Sequence, residues 1–397
     1  MNILYLTNNP NLGSTARTLQ DWLLLGREDG IIGAVVAQRS GDFSNWLNSN
    51  GIPYEIDRMP WPDWKWPIPS LMHAIKVAFW ARQWKIDIIH CNEHNVYSFG
   101  VLLRSLLRKP LVCHVRFSVS PEFCQWAFKG QNRKPDMLLW TSEQQKSDCK
   151  QAISGLVPEE QQQIVPLGLN LDTFGKAVQS RSESRQKWGV CEDDIVIGTA
   201  SALRPIKHIE DFVKIVIEIA KKDPRVIGVI AGDVILGAED YKNKILNQIQ
   251  NSGLGNRLRW LGNLEPIEPF MHAIDIFIST SEYETFGMSV CEAMACRRPV
   301  AAYRGGSVHE VVGEAGIIVE TGDLSSLIRG IQKLIYNPKL REDLGTHARE
   351  RVRENFNPAK SFQQLKQIYE SLLSKESYKL HKPFLGAQKV ESFYRAS

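Results

Sequence analysis

The chain has 397 residues, 23% of them charged, and a formal net charge of +4 at pH 7. That length exceeds one ordinary core and suits two domains, and the even charge balance gives no electrostatic case for a nucleic-acid partner. The seven cysteines, at 91, 113, 124, 149, 191, 291 and 296, form no Cys-x-x-Cys pair, which argues for a reducing compartment and against a disulfide framework or a zinc site. Residues 1–7 are too short and uncharged a run for a signal peptide, and no window reaches the roughly 18 apolar residues of a membrane span. The expected location is the cytoplasm, with docking at the inner face of a membrane left open.

Apolar runs of strand length alternate with longer amphipathic stretches, the signature of parallel sheets with helical crossovers. In the first half the runs at 2–7, 32–37, 86–91, 111–115 and 137–141 read as strands. In the second half those at 195–200, 226–231, 258–261, 274–279, 300–302 and 316–318 do so. Helices fit between them, for example over 70–84 and 208–221. The stretch between Leu167 and Trp188 lacks apolar periodicity, is rich in Ser, Arg and Gln, and reads as a linker. The pattern predicts a first α/β domain over 1–175 and a second over 186–355. A helix over 356–374 and a weakly structured tail over 375–397 follow.

The most telling stretch is 281–300, SEYETFGMSVCEAMACRRPV. A strand precedes it, a Phe-Gly turn sits inside it, and a helix opens at that turn. Unpaired N–H groups and the helix dipole make such a place an anion site. Glu284 stands before the turn and Glu292 on the helix, so both can face a ligand whose phosphates rest between them. Ser289-x-x-Glu292 and Ser307-x-x-Glu310 also fit capping boxes, in which the Glu serves only an orphan N–H. Glu284 fits no such pattern and lies in a loop after a strand, where open α/β sheets bind ligands.

This stretch resembles the Glu-x7-Glu motif of retaining glycosyltransferases of the group 1, or family 4, type. Glu284, Phe286, Gly287, Glu292, Ala293, Met294, Ala295 and Pro299 fall in order, followed by Gly305, Gly306 and Glu310. The resemblance implies a GT-B fold: α/β, two doubly wound Rossmann-like domains facing across a cleft, the first on the acceptor side and the second holding the donor. The last helix would cross back to the first domain. It implies transfer of a sugar from a nucleotide-diphosphate sugar to a glycan, lipid-linked or small-molecule acceptor, as in cell-surface polysaccharide or glycolipid synthesis. The nucleotide-sugar is then a co-substrate, with no resident cofactor and no metal cluster. An epimerase on the same scaffold, or an inactive or partner-dependent subunit, are the alternatives.

By the same resemblance, Glu284 holds donor-sugar hydroxyls and Glu292 ribose hydroxyls. The diphosphate falls to Lys207, Arg204 and the backbone of Phe286, Gly287 and Met288. The family carries its Arg five residues before the Lys, where this chain has Ala202. His114 matches a strand-terminal His that reaches the donor sugar, with Arg116 two residues on. Gly13 lies in the loop after the first strand that approaches the donor. Gly232-Asp233 and Gly262-Asn263 end strands where the base usually lies. Gly168 and Asp172 match a turn between the domains. Arg297 takes the place of a helix-ending glycine, at a cost of about 1 kcal/mol if the backbone there is left-handed. Nine of the eleven tryptophans precede residue 150. Trp22, Trp80, Trp84 and Trp140 read as core, whereas Trp61, Trp64 and Trp66 lie in a proline-rich loop suited to acceptor or interface binding.

Overall fold

A computed structural model describes residues 1–11, 13–62, 68–175, 180–234 and 238–374. Trp64, Trp66 and the tail after Ser374 lie outside the described residues. The chain divides into two compact units, Met1–Gly168 with the chain from Pro358, and Leu169–Asn357.

The first unit is built on β1 (Asn2–Thr7), β2 (Ile32–Ala37), β3 (Tyr54–Ile56), β4 (Ile88–Cys91), β5 (Leu111–Val115), β6 (Met137–Trp140) and β7 (Gln162–Ile164). Its sheet order is β3-β2-β1-β4-β5-β6-β7, and every pairing is parallel. Helices cover both faces, which is why the inner strands are near-continuous apolar runs. One face packs Leu4, Leu6, Ile89, Leu111, Cys113 and Trp140 with residues such as Val77 and Leu103 from the helices Ile68–Gln83 and Tyr97–Leu107. The other packs Ile3, Tyr5, Ile88 and Val112 under the helices Ser14–Glu28 and Pro358–Ser374. There Trp22 Nε1 donates to Ser361 Oγ at 3.2 Å, and Phe362, Leu365 and Tyr369 are buried. The strands β3 and β7 were not foreseen. Each has three residues, and Glu55, Gln162 and Gln163 blur the apolar signal that marks an inner strand.

The second unit carries β8 (Ile195–Ala200), β9 (Val226–Ala231), β10 (Leu258–Trp260), β11 (Ile276–Ser279), β12 (Val300–Tyr303) and β13 (Gly316–Val319). The order is β10-β9-β8-β11-β12-β13, again parallel throughout. The 167–188 stretch is not a plain linker: it contains the helices Leu171–Gly175 and Arg181–Lys187. Ser180 and Glu183 form a reciprocal capping box on the second of these. Arg185 is fully buried and donates to the carbonyls of Cys191, Glu192, Asp194 and Ala273, and to Asp275 Oδ2 at 2.7 Å. A buried ion pair anchors this helix, and such a pair leaves no apolar period to read.

In each sheet the strand order reverses once, between β1 and β4 and between β8 and β11. Connections there leave in opposite directions and open a crevice beyond the carboxyl ends of the strands.

Candidate functional site

At the second unit's reversal point, the loop after β8 ends in a short 3-10 turn, Pro205–Lys207, and the loop after β11 leads to Gly287. Lys207 Nζ meets Glu284 Oε1 at 2.5 Å, and Ser281 Oγ donates to the same oxygen at 2.8 Å. The lysine and glutamate side chains are 16% and 15% exposed, so the pair is sheltered but reachable. The loops are also sewn together by their backbones: Glu282 N donates to Ile206 O at 2.9 Å, and Thr280 Oγ1 donates to Lys207 O at 2.9 Å. The sequence marked Lys207 and Glu284 separately, and nothing in their spacing showed that they meet. Arg204 starts the same turn and is exposed.

The Glu284 loop is held by a close backbone approach. A Cβ on Gly305 would stand 2.1 Å from Ser281 O, and one on Gly306 would stand 2.3 Å from Glu284 O, so no side chain fits at either place. Ser307 N donates to Glu284 O at 2.8 Å, and Ser307 Oγ donates to Thr285 O at 2.9 Å. Gly287 takes φ +95° at the N-cap of the helix Met288–Ala295, a conformation that disfavours any other residue. The buried Phe286 ring meets Phe356 edge-on at 5.3 Å.

Neither anticipated capping box forms. Ser289 lies inside the helix rather than at its N-cap. Ser307 does precede the helix Val308–Val312, but makes no side-chain cap bond and holds the Glu284 loop instead. Glu292 is 9% exposed, on the second turn of its helix. That helix ends in a Schellman motif, with Arg298 N donating to Ala293 O at 2.9 Å and Arg297 N to Met294 O at 3.0 Å. Arg297 is left-handed at φ +58°, as a glycine would be. Next along the sheet, Gly232 N donates to Gly262 O at 2.7 Å, and Trp260 Nε1 donates to Gly232 O at 2.7 Å. The two glycine turns singled out in the sequence thus meet at the carboxyl ends of β9 and β10.

The first unit's reversal point is organised differently. Gly13 caps the helix Ser14–Glu28 beyond the end of β1. Glu93, just past β4, is fully buried. It accepts from Thr7 Oγ1 at 3.0 Å, Asn92 Nδ2 at 2.8 Å and Asn8 N at 3.2 Å. Arg116, just past β5, donates to Asn92 O at 3.0 Å and Asn92 Oδ1 at 2.9 Å. Burial raises the Glu93 carboxyl against the pull of Arg116. It lowers the Arg116 guanidinium to about 10. No motif pointed to Glu93, a carboxylate between two histidine-bearing segments.

His114 does not leave the strand end. It is fully buried within β5, its ring stacked on Trp22 at 5.8 Å and on His90 at 6.0 Å. Burial, and then the charge of Arg116, hold it well below the ordinary histidine value. The residue at that carboxyl end is Arg116. Trp22 and Trp140 are core, Trp80 and Trp84 only partly buried. Trp61 stacks on Trp126 at 4.8 Å.

Residues 180–351, nearly the whole second unit, match the family model of the glycosyl transferases group 1. The chain is 23% identical over 373 residues to the N-acetyl-alpha-D-glucosaminyl L-malate synthase of Bacillus anthracis, covering 87% of this chain and 94% of that one. It is 26% identical over 312 residues to the lipopolysaccharide core biosynthesis mannosyltransferase LpcC of Rhizobium leguminosarum, covering 77% and 85%. Among solved structures, Anabaena HepE in complex with UDP-glucose superposes with a TM-score of 0.80 at 25% identity, covering 94% of this chain and 100% of that one. The glycosyltransferase from Rickettsia africae ESF-5 superposes with a TM-score of 0.84 at 19% identity, covering 94% and 99%. The fold is that of the GT-B proteins, and the class these findings support is a glycosyltransferase.

Proposed function

We propose that the chain is a retaining glycosyltransferase of the family 4 type that draws on a nucleotide-diphosphate sugar. The observation that carries the reading is the Lys207–Glu284 contact across the β8–β11 reversal point, beside a helix N-terminus. HepE, solved with UDP-glucose, and LpcC, a mannosyltransferase of lipopolysaccharide core biosynthesis, add support for a nucleotide-sugar donor and a place in surface glycan synthesis.

In this reading the pair is a neutral resting state that the donor splits. The diphosphate draws the Lys207 ammonium, with Arg204 and the N–H groups of Gly287 and Met288. Glu284 is then released to accept from sugar hydroxyls, and Glu292 takes the ribose hydroxyls. The bond from the anomeric carbon to the phosphate oxygen breaks, and the acceptor oxygen bonds to the same face. The acceptor proton passes to the departing phosphate. Cations aimed at charge that develops only as that bond breaks lower the barrier. The reading assigns no step to a resident cofactor or metal. It leaves His114 as a packing residue, because its ring is buried.

Thermal stabilisation against UDP-, GDP- and ADP-sugars, repeated with Glu292→Ala, tests the donor site. A shift with one class, lost in the variant, is expected; no shift with any donor at about millimolar concentration overturns the reading, since even a weak site stabilises by mass action. Product NMR of the anomeric centre tests retention.

A further inference from the structure

Beside the Lys207–Glu284 contact, a second pair of side chains joins the loop after β8 to the loop after β11. His208 Nε2 lies 3.2 Å from Glu282 Oε2. A carboxylate only accepts, so the imidazole donates through an Nε2–H. His208 directly follows Lys207, and Glu282 stands two residues before Glu284. The pair therefore flanks the candidate donor site without belonging to it. The backbone bond from Glu282 N to Ile206 O sits on the same rung of the two loops.

The backbone at His208 suits glycine. It stands at φ +46° and ψ +46°, left-handed, as the N-cap of the helix Ile209–Lys222. Glycine takes that conformation without strain, whereas a residue with a Cβ does not. The imidazole does not repay the strain by capping the helix. No side-chain cap bond forms, and Ile209 N donates instead to Tyr241 Oη at 3.0 Å. Packing does not explain it either, because the His208 side chain is 37% exposed and that of Glu282 61%. A pair so open to water adds little to stability. What the imidazole supplies and a glycine would lack is the bond to Glu282.

We infer that His208 is a positioning residue of the donor site, clasping the two loops through Glu282 while the donor separates Lys207 from Glu284. The inference rests on the donor reading above, in which the diphosphate draws Lys207 away and Glu284 turns to sugar hydroxyls. That step removes the bond between residues 207 and 284 just when both loops must hold one ligand. His208 and Glu282 bind no part of the donor, so their bond survives it. Arg204 and Lys207 on one loop then stay in register with the N–H groups of Gly287 and Met288 on the other. A ligand held by two loops binds more tightly when they are pre-organised, because less freedom is lost on binding.

Titration calorimetry of the full chain with UDP-, GDP- and ADP-sugars, beside unfolding midpoints without donor, tests the clasp. His208→Gly should weaken binding of the favoured donor about fivefold, the upper range for one exposed pair. Its midpoint should hold, since glycine suits the left-handed backbone; a residue of purely structural value would lower it. Glu282→Ala should weaken donor binding to the same degree and the double variant no further, because both remove one bond. His208→Gln, which keeps an N–H donor of similar reach, should restore most of the affinity. Native affinity in His208→Gly, a lowered midpoint in that variant, or additive losses in the double variant overturns the inference. Lys207→Ala separates it from the donor reading. Donor binding weakened by Lys207→Ala but not by His208→Gly overturns the clasp alone, whereas no binding of any of these donors by the native chain overturns both.

Discussion

The two reversal points use the same chemistry to different ends. In the second unit a lysine and a glutamate meet at 2.5 Å within reach of solvent, on loops that leave β8 and β11. In the first unit Glu93 and Arg116 are buried and share Asn92 between them. A pair that water can still reach is less costly to separate than one sealed from it, so a charged ligand can take one partner away. A buried pair is costly to break, because the partner left behind has no water to turn to. In the proposed reading the second unit therefore offers charges to a ligand, whereas the first uses charges to fix the shape of its strand ends.

Substitutions at the two pairs should part company. Glu284→Gln is expected to lower turnover by about a hundredfold or more while leaving the unfolding midpoint near its native value. Glu93→Gln should act in reverse, lowering the midpoint first. If Glu93→Gln removed turnover without touching stability, the division of labour would be wrong.

Acid separates the units as well. Burial holds His94 at about 4, and lowers His90 and His114 in the same unit. A histidine whose folded value lies below its unfolded value of about 6.5 takes protons more readily when unfolded. Its neutral state is compatible with the fold above about pH 6.5, and stability falls as pH drops from there toward about 4. For His94 alone that loss is on the order of 3 kcal/mol. The raised carboxyl of Glu93 works in the opposite sense, and His272 in the second unit, lowered but half-buried, adds to the loss there. Because nine of eleven tryptophans lie before residue 150, urea unfolding followed by tryptophan fluorescence reads the first unit preferentially. A midpoint that stays flat across this window would contradict the burial of these histidines.

Two further substitutions test glycine-like positions around the Glu284 loop and its helix. Gly306→Ala places a Cβ against Glu284 O, so the loop must shift; we expect about a tenfold loss of turnover, since small misplacements of a positioning loop are felt at the reacting atoms. Arg297→Gly should do the least. It relieves a left-handed non-glycine residue and is expected to stabilise by about 1 kcal/mol or less in chemical denaturation, with turnover unchanged.

The parallel sheets were legible because inner strands buried on both faces write themselves as apolar runs. The Glu284–Glu292 stretch was legible as an unusual string around a turn. What escaped had no local pattern. The edge strands β3 and β7 are short and polar, and Arg181–Lys187 is held by Arg185 on Asp275, about ninety residues away. His114 shows the limit of position alone: a strand-end histidine reads the same whether its ring points out of the crevice or into the layer below. Only the packing of Trp22 and His90 distinguishes them.

The helix Pro358–Ser374 closes the first unit, yet the ribosome makes it only after the whole second unit has emerged. Until then Tyr5 and Trp22 lack the cover of Phe362, Leu365 and Tyr369. The second unit is continuous in sequence and can complete itself first, whereas the nascent first unit waits with an apolar face uncovered. Truncation before Pro358 is thus a lesion of the start of the chain more than of its end, and the first unit should aggregate when made alone.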